Sequence, residues 1–343
     1  MPLELTADRP DHAALREYDE RPLQPDQLRI TTDFSGVKHG TEMRIFRGTS
    51  ADTTDRWDPD MRLHRRGEPA RGQFPRALGE MFVGRISETG SSVTRFKTGD
   101  RVFGEAAVRQ THTVDEQSVR AAPEDASPQA IVYMEAATFA LAGVRDGHVR
   151  VGDRVAVFGL GALGQMSVQV ALLAGARWVA AIDPIACRRE AAQRHGAHAV
   201  YDPAACDVGL EVKTQTGKLG VDVAMETSGA HAALNDALRA TRYQGTVVST
   251  AYYVGPASDL ILSGEWHRNN LQIVSSRAVF PPPREFSWDD RLQTEALQLL
   301  FDGKLQADDL VDPVVGFEQA PDAYTRINKD PTTSIKLGVC HVT

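Results

Sequence analysis

The stretch Val155-Ala-Val-Phe-Gly159-Leu160-Gly161-Ala162-Leu163-Gly164 decides the fold. A short apolar run ends at Phe158, and a helical pattern opens at Ala162. A bare G-x-G-x-x-G is a weak signal, but set between a strand and a helix it becomes specific. The first glycine allows the tight turn, the second lets a pyrophosphate approach the backbone, and the third lets helix and strand pack closely. Phosphates then meet free N–H groups at the positive end of the helix. At the end of the next strand, Ala-Ala-Ile-Asp183 places a carboxylate 19 residues past Gly164. An acid there accepts hydrogen bonds from a ribose 2′-OH and repels a 2′-phosphate, so the cofactor expected is NAD, with NADP second. Arg188 and Arg189 follow in the next helix and soften that preference.

Outward from this turn the texture is strand alternating with helix, the mark of a parallel sheet. Arg154–Phe158, Trp178–Ile182, Val221–Met225, Thr246–Ser249 and Leu271–Val274 read as strands. Ala162–Ala174, Ala186–His195 and His231–Ala240 read as helices. Before residue 139 the runs Gln27–Thr32, Phe82–Ser87, Asp100–Phe103 and Arg109–Val114 are short strands punctuated by glycine. Residues 48–72 read as a long polar surface loop. After Pro281-Pro282-Pro283 come helices over Arg291–Phe301 and Phe317–Asn328 and a closing strand, Ser334–Val339. The division expected is a β-rich domain of residues 1–138 and 290–343, interrupted by a doubly wound dinucleotide domain of residues 139–289.

The chain has 343 residues, which fits two domains, with 42% hydrophobic and 24% charged residues, so it reads as globular. Acids outnumber Lys and Arg by 46 to 38, a formal charge of −8 that argues against nucleic acid or an anionic membrane as partner. Cys187, Cys206 and Cys340 are too few and too scattered for a disulfide framework, which fits the cytoplasm. The N-terminal residues lack a secretion-signal pattern. Val155–Ala176 holds 22 residues without a charge, yet Gly159, Gly161, Gly164, Gln165 and Gln169 break it as a membrane span.

A β-rich front, a dinucleotide fold and a return to the front at the C-terminus together resemble the medium-chain dehydrogenase/reductase superfamily, of alcohol-dehydrogenase type. The resemblance rests on Ser35-Gly-Val-Lys-His-Gly-Thr-Glu42, Gly79-Glu-Met-Phe-Val-Gly84, Phe96-Lys-Thr-Gly-Asp-Arg-Val-Phe103, Val151-Gly-Asp-Arg-Val155 and the glycine turn. Gly40-Thr41-Glu42, Tyr133-Met-Glu135 and Glu265-Trp-His267-Arg268 look most similar to its bacteriochlorophyllide-dehydrogenase-like branch. The fold implied is α/β: a GroES-like catalytic domain plus a Rossmann sheet, dimerising through an edge strand near Leu271–Val279. Zinc members usually carry Cys where this chain has Lys38 or His39, and a His-Glu pair where it has Glu80 and Met81. The lobe that normally holds four cysteines for structural zinc has none. A catalytic zinc needs three protein ligands and one open position. His39, Glu80 and Glu135 fall near ligand positions and offer an N/O set; the reading preferred is that the metal has been lost.

Hydride transfer from an alcohol leaves an oxygen that must lose a proton and whose charge needs stabilising. In this resemblance Lys38 stabilises the oxyanion, His39 shuttles the proton, Thr41 matches a hydroxyl relay, and Glu80 is a buried acid or a partner of Lys38. The alternative is that Lys38 and His39 are polar strand-end residues in solvent. Thr227, Ser228, Thr250 and Ser276 end strands of the dinucleotide fold and are cofactor-contact candidates. Lys336 matches a C-terminal basic residue that pairs with the pyrophosphate.

Residues 56–76 hold six arginines against three acids. Arg65 and Arg66 there suggest an anionic substrate group, unless they are simply solvated. Trp57, His112 and Glu135 are candidates to line the substrate site. The function expected is an NAD-dependent oxidoreductase interconverting a secondary alcohol and a ketone on a sugar-like, cyclitol-like or biosynthetic intermediate, without zinc. The alternatives are a metal-free quinone or enone reductase and a catalytically silent NAD-binding sensor.

Overall fold

The computed structural model describes residues 1–49, 55–68, 74–278 and 288–341, with backbone alone at Thr41 and residues 288–290. It divides into two compact units. One comprises Met1–Val132 with Val311–Thr343, the other Tyr133–Leu310. The sequence had placed these divisions at 138/139 and 289/290. Helix Trp288–Phe301 falls in the second unit because it packs on helix Met134–Asp146.

In the first unit a seven-stranded sheet is built on Gln27–Gly36, which pairs antiparallel with Met81–Thr89, Thr111–Asp115 and Gly338–Cys340. Leu28 and Ile30 alternate inward along it and are fully buried with Phe82, Ile86, Val102 and Val119. Period-2 alternation also drives a hairpin the sequence reading passed over, Leu3–Arg9 with His12–Glu17, which buries Leu5 and Ala7. Helix Ala320–Lys329 closes that core with Ala323, Tyr324 and Ile327. Residues 48–72 are not all loop: Arg56–Asp58 and Leu63–Arg65 form a two-stranded hairpin. The C-terminal strand is Gly338–Cys340 rather than Ser334–Val339: the Leu337 N–H goes to the His39 side chain instead of a neighbouring strand.

In the second unit six strands pair entirely in parallel. From one edge they run Ala199–Tyr201, Trp178–Ile182, Arg154–Phe158, Val221–Glu226, Thr241–Ser249 and Gln272–Ser275. In sequence rank this is 3-2-1-4-5-6, the doubly wound Rossmann order. Val155, Ala156 and Val157 have no exposed surface, as a central parallel strand covered on both faces requires. The order reverses between Arg154–Phe158 and Val221–Glu226. Ligands of such sheets bind outside the carboxyl ends at that reversal, where Gly159 and Thr227 begin their loops. No described helix is long and apolar enough to cross a membrane.

Candidate functional site

The turn after Phe158 depends on its glycines in different ways. Gly159 has φ +87, and a Cβ there would come 2.6 Å from the Ser228 Cβ. At Gly164 a Cβ would sit 1.8 Å from the Gly159 carbonyl oxygen. At Gly161 a Cβ would meet no atom within 4 Å. The first and third glycines are therefore demanded by the protein itself, and the second leaves open space. Gly161 also caps helix Ala162–Leu173 without a side-chain hydrogen bond, so the helix presents its first N–H groups at that space. This geometry fits a dinucleotide pyrophosphate, received by the backbone from Gly161 to Leu163.

Asp183 is 4% exposed. Its Oδ2 accepts the Leu160 N–H at 2.7 Å, and its Oδ1 accepts the Ile185 N–H at 2.8 Å. The carboxylate thus braces the glycine turn from the end of the neighbouring strand. Arg188 Nη1 lies 3.9 Å from it, and Arg189 donates to its main-chain oxygen at 2.7 Å. Thr227 and Ser228 turn inward: Thr227 Oγ1 donates to the Gly159 oxygen at 2.7 Å, and Ser228 Oγ donates to Glu226. Thr250 donates its amide to the Glu226 carbonyl at 3.0 Å, and Ser276 donates its amide to the Ser249 carbonyl at 2.8 Å.

Glu226, the last residue of strand Val221–Glu226, organises this edge. It has no exposed surface, and burial pushes its carboxyl above the usual range, against the hydrogen bonds it accepts from Ser228, Tyr253 and Gly229. Tyr253 Oη donates to it at 2.5 Å, and burial with that carboxylate beside it holds the phenol well above its ordinary value.

The first unit carries a second cluster. Lys336, expected on the pyrophosphate, is 2% exposed and its Nζ lies 2.9 Å from Glu80 Oε2. Lys38 Nζ lies 3.9 Å from Glu80 Oε1. One carboxylate therefore serves two ammonium groups, of which Lys38 is 38% exposed and Lys336 only 3% by side chain. His39, expected to shuttle a proton, is anchored instead. Its Nε2 accepts the Leu337 N–H at 2.9 Å, and Nδ1 lies 3.4 Å from Ser334 Oγ. The Thr41 side chain lies outside the described residues. Glu135 lies in the first turn of helix Met134–Asp146, where a carboxylate favours the helix dipole.

Zinc does not fit this donor set. An ammonium offers no lone pair, and the His39 Nε2 lone pair is already committed to the Leu337 amide. Among the described residues no three His, Cys, Asp or Glu side chains are grouped to hold a metal.

Glu42 lies behind the cluster, 8% exposed. It accepts from Gly79 N at 2.5 Å, Tyr324 Oη at 2.7 Å and Lys38 N at 3.1 Å. Burial pushes its carboxyl up to about 7 despite those hydrogen bonds, with Glu80 adding repulsion. Tyr324 is 282 positions away, so no motif could have joined the two.

Two substrate candidates, His112 and Arg65, are engaged within the first unit itself. His112 is 3% exposed and stacks on Phe82 at 4.0 Å, a core position dictated by its register opposite Ile30. Arg65 donates to Asp58 at 2.6 Å within the hairpin, and Arg56 to Glu68 at 2.9 Å, so those charges are met internally. Trp57 is 46% exposed, edge-on to His64, and Arg66 is exposed.

The buried histidines predict an acid limb in stability. Burial pushes His112 down to about 3 and His341 down to about 4. Unfolded histidine takes a proton near pH 6.5, so the unfolded state gains protons first as pH falls. Stability should therefore be whole above about pH 6.5 and decline below it, by on the order of 1 kcal/mol per pH unit per histidine. Glu42 works in the opposite sense, because its raised carboxyl favours the folded state as pH falls. Urea midpoints at pH 7 and pH 5 check this: His112→Asn should narrow the gap between them, and an unchanged gap refutes the assignment.

These features, a Rossmann sheet carrying a glycine turn and a GroES-like β domain, place the chain in the alcohol dehydrogenase-like medium-chain dehydrogenase/reductase superfamily. Residues 24–128 match the family model for the alcohol dehydrogenase GroES-like domain, and residues 162–292 that for zinc-binding dehydrogenases. The chain is 40% identical over 345 aligned residues to the D-guloside 3-dehydrogenase of Escherichia coli K12, covering 98% of this chain and 99% of that protein. Its fold is shared by 2R,3R-butanediol dehydrogenase of Bacillus subtilis, with TM-score 0.79, 21% identity and full coverage of both chains. A Sinorhizobium meliloti 1021 protein solved with NADP bound also shares it, with TM-score 0.77, 21% identity and 99% coverage of each chain. The chain is an alcohol dehydrogenase/reductase.

Proposed function

We propose that this chain is an NAD-dependent dehydrogenase that interconverts a ring secondary alcohol of a sugar or glycoside and the corresponding ketone, without a catalytic metal. The observation that carries this reading is the Lys38–Glu80–Lys336 cluster. It joins Lys38 and Glu80, which the resemblance aligns with zinc-ligand positions, to Lys336 in one ion-pair cluster. The nearly full-length likeness to a D-guloside 3-dehydrogenase supports the substrate class.

Bound NAD+ supplies the hydride acceptor. Lys38, the exposed ammonium, donates a hydrogen bond to the substrate oxygen and stabilises its developing negative charge, while the hydroxyl proton passes to solvent water. Glu80 holds that ammonium in place, and Lys336 neutralises Glu80 from behind, so the cluster keeps a net positive charge at its accessible end. Asp183 supports NAD over NADP, because its negative charge opposes a 2′-phosphate; Arg188 partly offsets it, so the discrimination should be moderate.

Steady-state assays with methyl D-gulopyranoside and methyl D-glucopyranoside test the reading. Chelator-treated protein should reduce NAD+ faster than NADP+ and yield a keto-glycoside. Absence of turnover on both glycosides, or activity recovered only with added zinc, overturns it.

A further inference from the structure

Lys38 and Glu80 must face each other from two separate pieces of irregular backbone. Lys38 stands at the N-cap of helix His39–Phe46 with φ −98 and ψ 91, and its side chain makes no cap bond. Glu80 follows Gly79, whose φ of +120 no other residue adopts easily. A Cβ at Gly79 would in any case lie 2.4 Å from the Val108 nitrogen.

We propose that Glu42, steadied by Tyr324, is the positioning residue that sets Lys38 against Glu80 for alcohol oxidation; the inference rests on the reaction proposed above. Its Oε1 takes the Gly79 N–H at 2.5 Å and its Oε2 the Lys38 N–H at 3.1 Å. One buried carboxylate thereby fixes the backbone beneath both functional side chains. Three donors converge on this one buried carboxyl, and losing any of them would leave a buried polar group unpaired. The Tyr324 hydroxyl, fully buried on helix Ala320–Lys329, takes a further position on Oε2 at 2.7 Å and stops that oxygen from swinging away. Lys38 Nζ reaches Glu80 only at 3.9 Å, so a small backbone shift breaks or remakes that pairing. Positional errors of this size carry large kinetic costs. Glu42 touches neither hydroxyl nor cofactor in this scheme; it acts through Lys38.

A double-mutant cycle separates positioning from general support of the fold. Glu42→Gln and Tyr324→Phe are made in the wild-type and Lys38→Met backgrounds and assayed with NAD+ and methyl D-gulopyranoside. NADH affinity is read by fluorescence. Glu42→Gln should lower kcat by about 100-fold and Tyr324→Phe by about tenfold, with NADH affinity unchanged within about twofold. In the Lys38→Met background each should cost less than about twofold, because the group they position is gone. Equal losses in both backgrounds, or full turnover in a folded Glu42→Gln protein, overturn the inference alone. Full turnover by Lys38→Met, or no turnover by the wild type, overturns the reaction and the inference together. Tyr324→Phe, which loses a single hydroxyl, carries the same cycle if Glu42→Gln does not fold.

Discussion

Replacing Lys38 with Met should lower turnover by about 100- to 1000-fold, the usual cost of losing one donor to a developing oxyanion. NADH affinity should stay within about twofold, because the cofactor contacts proposed lie on the glycine turn. The exposures along the cluster decide which cation does the chemistry: Lys38 is 38% exposed, Glu80 10% and Lys336 3% by side chain. Of the two lysines, Lys38 is the one whose side chain reaches solvent. Removing it leaves Glu80 paired with Lys336, so no buried charge is orphaned and the fold should tolerate the change. Lys38→Arg keeps the charge and should retain part of the activity. The distribution of the loss matters as much as its size. A fall confined to kcat identifies an interaction made in the transition state, whereas a rise in KM at constant kcat would reduce Lys38 to a substrate anchor. Unchanged kinetics would return it to the status of a strand-end lysine.

The parts of this molecule legible in its sequence are those governed by local pattern. The Arg154–Phe158 and Trp178–Ile182 strands begin and end where the apolar runs do. Those runs are short and buried on both faces, and glycine turns or helices bound them. The hairpin at Leu3–Arg9 carries the same kind of signal in its alternation, and that signal was there to be read. Tertiary pairings are another matter. Nothing local says that Lys336 belongs with Glu80, 256 positions away, or Tyr324 with Glu42. A buried ion pair is chosen by where two elements cross, and its sequence trace is a lone lysine in an apolar run. In the Arg-rich segment, composition shows the charge surplus but not its pairing: Asp58 meets Arg65 and Glu68 meets Arg56. His112 is a similar case, because a histidine in a strand faces core or surface by register, and register is set by the partner strand.

The same substitution, glycine to alanine, should produce opposite phenotypes three residues apart in the glycine turn. At Gly161 the added methyl meets no protein atom within 4 Å, so the protein should fold with stability unchanged or slightly raised. That open space is the seat proposed for a pyrophosphate. Gly161→Ala should therefore weaken NADH binding by on the order of 10- to 100-fold, or about 1.4 to 2.7 kcal/mol, and turnover at fixed NAD+ should fall with it. At Gly164 the methyl would lie 1.8 Å from the Gly159 oxygen. Gly159 cannot move aside, because its own φ of +87 and the Ser228 side chain 2.6 Å from its ideal Cβ position hold it. Thr227 Oγ1 also grips that carbonyl at 2.7 Å. Gly164→Ala should then cost about 1–3 kcal/mol of stability as an overpacked helix–strand contact. NADH should rescue little of it, since the turn that receives the phosphates is itself displaced. Thermal midpoints with and without NADH separate the cases. Gly161→Ala should melt like the wild type when free and lose the ligand-induced rise; Gly164→Ala should melt early in both conditions. A Gly161→Ala protein that binds NADH as tightly as the wild type would mean the phosphates do not rest on this turn.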